Sequence, residues 1–165
     1  MSEAVVRPAE EKDGEAVFAA WQALRGYYAS VDRRFMPAPV SLDDFVAAYR
    51  ERFSKGRGAA FVAMDGSRLA GFISCTIEES QPDRVPDRHV TIGHLFVDPD
   101  YRREGIGRRL FASLAAWAQE QDSVSHFEMP VLAADAEAAE FWRSLGFSPF
   151  IERLWAPLSA SESDP

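Results

Sequence analysis

Apolar positions along the chain recur in two rhythms, and the rhythm changes several times. Val17, Trp21, Leu24 and Tyr28 fall at helical spacing within "EEKDGEAVFAAWQALRGYYASV" and predict a first helix. "SLDDFVAAYRERFSKG" predicts a second. Ser41 is placed to cap it, and Asp43 and Asp44 lie in a first turn where the helix dipole favours negative charge. Ile106, Leu110, Leu114 and Trp117 mark one face of a helix from Ile106 to about Gln121. Ala138, Phe141, Trp142 and Leu145 mark a fourth, with Asp135 as candidate cap and Gly146 as the residue that ends it.

Between these lie strand patterns. "AVVRPAE" predicts a short strand that breaks at Pro8. "AAFVAMDG" and "RLAGFISCTIEES" are apolar runs separated by Asp65-Gly66-Ser67, a hairpin signal. "RHVTIGHLFVD" is a further strand closed by Pro99. "SVSHFEMPVL" alternates, and "FSPFIERLWAPL" reads as a last strand. The order β-α-α-β-β-β-α-β-α-β predicts one α/β (α+β) domain over residues 1–158, followed by the polar tail 159–165.

Composition narrows the function classes. An apolar fraction of 47% and a charged fraction of 27% are ordinary for a globular chain. No apolar run approaches the roughly 20 residues of a membrane span. No basic stretch followed by an apolar one opens the chain, so no signal peptide is expected. Cys75 is the one cysteine. It excludes an internal disulfide and a Cys-rich zinc site, and it fits a cytoplasmic location. His89, His94 and His126 lack metal-ligand spacing of the HExxH kind, and no metal is expected. The net charge of −8 argues against nonspecific nucleic-acid binding.

Against that acidic background, the stretch Tyr101–Leu110 of "DYRREGIGRRL" carries Arg102, Arg103, Arg108 and Arg109 with one acid, Glu104. A strand, a turn with Gly105 and Gly107, and a helix start together make an anion site. The first helical N–H groups have no intrahelical partner, and the dipole places partial positive charge there. Arginine in a first turn opposes the dipole by about 0.3–1 kcal/mol each. A bound polyphosphate would reverse that sign; pairing with Asp98, Asp100 and Glu104 is the other way to relieve it. No GK[ST] follows, which excludes a P-loop. Leu110 stands where a dinucleotide fingerprint needs a third glycine.

These residues resemble the acyl-CoA-binding motif of the GNAT N-acyltransferase superfamily, Arg/Gln-x-x-Gly-x-Gly/Ala, in Arg102-Arg103-Glu104-Gly105-Ile106-Gly107. Val97-Asp98-Pro99 is similar to the strand end that precedes it. "AAEFWRSLGF" is similar to the family's second motif, and "VVRPAEEKDGEAV" to its first strand and helix. The resemblance covers about Val5 to Trp155. It implies a mixed, mostly antiparallel sheet of six to seven strands splayed in a V and flanked by about four helices. It implies acetyl-CoA as cosubstrate, bound by Arg102, Arg103, Glu104, Gly105, Ile106, Gly107 and Arg108, with the pyrophosphate on the backbone N–H groups of Arg103 to Arg108. The pantetheine arm would lie along Leu95, Phe96 and Val97, and Asp135 and Trp142 would complete the cofactor site. The implied reaction is direct acyl transfer to an amine of a small molecule or peptide. A homodimer is a further possibility by analogy.

Two departures from the family pattern bear on catalysis. Trp142 occupies the position where many members carry a Tyr that protonates the leaving thiolate, and an indole N–H is no acid near neutral pH. Gly93 stands where many carry an acidic residue, which leaves the neighbouring His94 as candidate base. The alternative expectation is a CoA-binding or regulatory module without catalysis. Acceptor choice would fall to Tyr27–Val40 and Ser80–Arg88.

Overall fold

In a computed structural model of the chain, residues 3–85 and 88–158 are described. The tail 159–165 and two residues of the predicted acceptor segment, Pro86 and Asp87, lie outside them. The chain divides into two compact units, Met1–Asp135 and Ala136–Pro165.

The first unit is a five-stranded sheet with its strands in chain order. They are β1 (Val5–Pro8), β2 (Gly58–Asp65), β3 (Arg68–Glu79), β4 (Arg88–Val97) and β5 (Val124–Glu128). The first three pairings are antiparallel and β4–β5 is parallel. The β2–β3 hairpin turns at Gly66, whose φ of 58° is the left-handed conformation that such a turn demands. The parallel pair needs a crossover, which α3 (Ile106–Gln119) supplies. Before β2 come α1 (Gly14–Val31) and α2 (Leu42–Ser54). Ser41 caps α2 as expected, its Oγ accepting the Asp44 N–H at 3.1 Å.

Cross-strand partners share a face, and alternation divides the core in two. Phe72 and Val62 pack with Val17 and Ala20 of α1. Gly71, one residue on, faces Leu110 of α3. Buried Ile106, Leu110 and Leu114 form the inner stripe of α3, as the helical spacing predicts.

Near the start of α1 the Asp13 carboxylate takes both Arg7 N–H groups, at 2.7 and 2.8 Å, and the Glu10 amide at 2.7 Å. The Arg7 hydrogen bonds hold its pKa below the usual carboxylate range. A lowered folded pKa contributes stability that is full above the unfolded value and is lost as pH falls through the folded one. Asp13→Asn is therefore expected to cost about 2 kcal/mol in urea unfolding at pH 7, with the difference closing at strongly acid pH.

The second unit holds α4 (Ala136–Arg143), followed by Gly146 with a φ of 95°, the residue expected to end it. The predicted last strand does not form, so the sheet has five strands rather than six to seven. Residues 147–158 carry no helix or strand, and Phe150, Ile151, Leu154 and Trp155 are exposed. Pro149 and Pro157 each lack an N–H for a ladder. Proline also shortens β5: it ends at Glu128, two residues before Pro130.

Candidate active site

β4 stays beside β5 for only its first few residues. Their pairing runs from Arg88↔Val124 to Thr91↔Glu128 and then stops. His94 to Val97 remain paired to β3, opposite Ser74 to Gly71. Among the described residues no strand pairs with their other edge. The sheet is thus parted between β4 and β5, and the half-buried Leu95, Phe96 and Val97 line the parting. A free strand edge presents N–H and C=O groups to an extended ligand.

A bulge sets what this stretch presents. Ser74 pairs with His94 and Cys75 with Ile92, so Gly93 is the extra residue. Upstream of it, Val90 and Ile92 lie opposite Ile77 and Cys75, on the face that α3 covers. Downstream, His94 and Phe96 lie opposite Ser74 and Phe72, on the face that α1 covers. Strict alternation would keep Val90, Ile92 and His94 on one face. The bulge turns His94 toward α1.

There both of its ring nitrogens are engaged. The Trp21 indole N–H donates to Nε2 at 3.1 Å. Nδ1 lies 3.1 Å from the Ser74 hydroxyl. Because Nε2 accepts, the neutral ring carries its proton on Nδ1 and donates it to Ser74 Oγ. Burial, with the positive charge of Arg52 adding to it, lowers the His94 pKa to about 4. Nearby lies an aromatic layer of Phe18, Trp21, Phe45 and Tyr49 from α1 and α2. Arg25 sits over the Trp21 ring at 4.4 Å and ties the following loop down through the Ala38 carbonyl.

The glycine-arginine turn begins where β4 ends. Asp98 caps a short 3₁₀ turn, Pro99–Tyr101, accepting the Asp100 N–H at 3.0 Å. Arg68, from the β2–β3 hairpin, pairs with Asp98 at 3.1 Å and Asp100 at 2.6 Å. Those two acids are thus bound by an arginine outside the turn. Arg102 Nε reaches the Val97 carbonyl at 3.3 Å, and Arg109 turns away to the Ala4 carbonyl.

The backbone of the turn is unusual. Arg103 (φ 65°) and Gly105 (φ 78°) are both left-handed, and Gly105 is the N-cap of α3. The first bond of the helix runs from the Arg109 N–H to the Gly105 carbonyl at 3.1 Å. The Ile106 and Gly107 amides, preceding it, have no acceptor within the helix. Left-handed residues next to a helix start curl successive N–H groups into a concavity that suits an anion. A non-glycine residue at positive φ costs of order 1–3 kcal/mol and marks functional turns. Glu104 and Arg108 are exposed beside it.

The other two expected site residues are Asp135 and Trp142. Asp135 is buried, and its amide donates to the Leu132 carbonyl at 2.9 Å. With burial as the larger cause, its charge helps push the Tyr28 hydroxyl up to about 12. In the second unit, buried Trp142 lies between the rings of Phe141 and Phe147, at 5.2 and 5.0 Å. Sequence reading missed three participants: Trp21 and Ser74, which clasp His94, and Arg68, which occupies the acids of the turn. None carries a local signal. A glycine inside a strand pattern does announce the bulge.

A family model described as the acetyltransferase (GNAT) family matches residues 21–147. The chain belongs to that family. Over 75 residues it is 35% identical to the ribosomal protein bS18-alanine N-acetyltransferase of Escherichia coli K12, across 45% of this chain and 50% of the relative. It thus spans about half the length of the curated relatives it matches. The BH1408 protein of Bacillus halodurans, as a tetramutant, superposes with a TM-score of 0.80 at 18% identity, covering 93% of this chain and 99% of that one. The aminoglycoside N-acetyltransferase AAC(6')-Iy in complex with CoA superposes with a TM-score of 0.72 at 18% identity, covering 95% of each. These likenesses establish the fold. Among the described residues no helix is long and apolar enough to cross a membrane.

Proposed function

We propose that the protein is an N-acetyltransferase that moves the acetyl group of acetyl-CoA directly to an amine. The observation that carries this is the parted strand β4 running into the left-handed turn at Arg103 and Gly105. The parted edge offers Leu95 to Val97 for amide pairing with the pantetheine arm. The helix start at Ile106 and Gly107 offers N–H groups to the pyrophosphate, with Arg102, Arg103 and Arg108 adding positive charge. The amine nitrogen attacks the thioester carbon, the tetrahedral centre collapses, and the carbon–sulfur bond breaks. The amine proton leaves to solvent and the thiolate takes a proton. With a thiol pKa near 8.5, protonating the departing thiolate is downhill by about 2 kcal/mol at pH 7; expelling it unprotonated forgoes only that much, so water can supply the proton that Trp142 does not.

His94 bears on the acceptor. Held neutral with both nitrogens engaged, it is a poor proton acceptor. An amine that is already largely neutral then suits the site best. Deprotonating a lysine-like amine of pKa about 10.4 costs about 4.6 kcal/mol at pH 7, whereas an α-amine near 8 costs about 1.4 kcal/mol. We therefore read the acceptor as an α-amine of a peptide or small molecule, with the protein acting in the cytoplasm and without nucleic acid. The alanine acetyltransferase relative is consistent with this. His94 serves as a positioning residue that joins β4 to α1 through Trp21. Its engagement also gives the second reading, a CoA-binding module without turnover, its one specific support.

Thermal melting tests the cofactor. Acetyl-CoA at millimolar concentration is expected to raise Tm by about 5 °C, and NAD and ATP by less. A Cβ at Gly105 meets no atom within 4 Å, but Gly105→Val strains a φ of 78°. It is expected to cost about 2 kcal/mol of stability and at least about tenfold in CoA affinity. Thiol release across a panel of amines then separates the two readings. Turnover with α-amines supports the transferase. CoA binding without turnover supports the module, and the absence of any CoA shift removes both.

A further inference from the structure

The fold brings together three groups that the sequence keeps apart. His89 near the start of β4, and His126 and Glu128 on β5, present one ligand atom each, all within 4.8 Å of one another. His126 Nε2 is 3.0 Å from Glu128 Oε1, and His89 Nε2 is 3.7 Å from Glu128 Oε2. The two imidazoles stack at 5.2 Å with 17° between their planes. We propose that His89, His126 and Glu128 form a binding site for a divalent transition-metal ion of the zinc type.

The surrounding hydrogen bonds carry the inference. Each ring has a serine hydroxyl at Nδ1: Ser125 at 2.8 Å for His126 and Ser80 at 3.3 Å for His89. Ser125 donates its own hydrogen to the Arg88 carbonyl at 3.4 Å. When the Ser125 oxygen accepts the His126 Nδ1–H, a lone pair is left on His126 Nε2. That lone pair faces a carboxylate oxygen, which is also an acceptor. In that tautomer the two acceptors at 3.0 Å need a cation between them or beside them, a proton or a metal ion; in the other, Nε2–H donates to Glu128 Oε1.

The spacing suits a metal. Ligands at about 2.0–2.1 Å from a tetrahedral zinc lie about 3.3 Å from one another, and His126 and His89 stand 3.0 and 3.7 Å from the two oxygens of Glu128. Two histidines with one carboxylate and a fourth open position make a common zinc set. Outer hydroxyls that fix the ring tautomer are the usual support for such ligands. The side chains are 12%, 38% and 33% exposed, so an ion can enter and a water can complete the shell. On β4, His89 is five residues from His94, about 16 Å along the strand, so the ion would stand apart from the proposed cofactor edge at Leu95–Val97. Its work would be to pin β4 to β5 at the end where they remain paired.

The test uses tag-free, EDTA-stripped protein and zinc itself, read by competition with a chromophoric chelator at neutral pH. One zinc per chain is expected, with an affinity at least about 100-fold weaker in His126→Ala and at least about tenfold weaker in Ser125→Ala. Zinc is expected to raise the Tm of the wild type and leave that of Glu128→Gln unchanged, whereas magnesium should move neither. If His126→Ala does not fold, Glu128→Gln and Ser125→Ala carry the comparison. Failure of the wild type to take up zinc with a dissociation constant below about 100 µM would mean that a proton alone fills the gap, and would overturn the proposal. So would variants that bind within threefold of wild type.

Discussion

Gly71→Ala is expected to destabilise the protein by about 3 kcal/mol and to weaken CoA binding at the same time. An added Cβ would lie 2.6 Å from the Phe96 carbonyl oxygen, 3.2 Å from Leu110 Cδ1 and 3.4 Å from Val97 Cα. Two of these three atoms are backbone, and no rotamer change relieves them. β4 would have to move away from β3, or α3 from the sheet, in a region whose buried side chains leave no slack. The displaced stretch, Phe96–Val97, is the one assigned to the pantetheine arm. Stability and affinity should therefore fall together. Urea unfolding and a CoA titration of the same variant check this. A loss below about 1 kcal/mol with CoA affinity unchanged would mean that β4 shifts freely and does not define the cofactor edge.

The second large effect is a pH dependence set by His94. Its folded pKa, about 4, lies below the unfolded value of about 6.5. At pH 7 and above the ring is neutral in both states and folding gains or loses nothing from it. As pH falls below about 6.5 the unfolded chain binds the proton first, and the native state is progressively disfavoured. The loss is complete near pH 4, where the native ring titrates as well. A separation of about 2.5 units corresponds to about 3 kcal/mol. His94→Gln removes the titration and keeps polar atoms for Trp21 and Ser74. Relative to that variant, the wild type should lose up to about 3 kcal/mol between pH 6.5 and pH 4 in denaturant unfolding. Parallel stability curves over that interval would show that His94 is not held neutral by its burial.

The apolar rhythm was enough to place the four helices and the first five strands, because periodicity is a local property of each segment. It failed where a pattern needs a partner. The alternation in "FSPFIERLWAPL" is that of a strand, but two prolines and the lack of a paired neighbour leave residues 147–158 without one. The turn at Arg102–Gly107 was legible because its chemistry is local: glycine, charge and a helix start. His94 was legible as a residue of interest but not in its setting. One bulge decides which face it joins, and Trp21 lies 73 residues away in sequence. The His89, His126 and Glu128 cluster is invisible to spacing rules for the same reason. A parallel pairing joins strands separated by a whole crossover helix.

The strand order also dictates a sequence of events during folding. β2, β3 and β4 are joined by short connections and can zip together from their own turns. β5 reaches β4 only through the long crossover that holds α3, so its pairing has the larger loop to close. The meander is thus the natural nucleus and the β4–β5 seam the last to close. The seam has few paired residues and ends in a fork, which makes it the part of the sheet where breathing motions should begin. The protein places its proposed cofactor cleft at its latest and loosest joint, so the ligand that fills the fork would also tighten the final step of assembly.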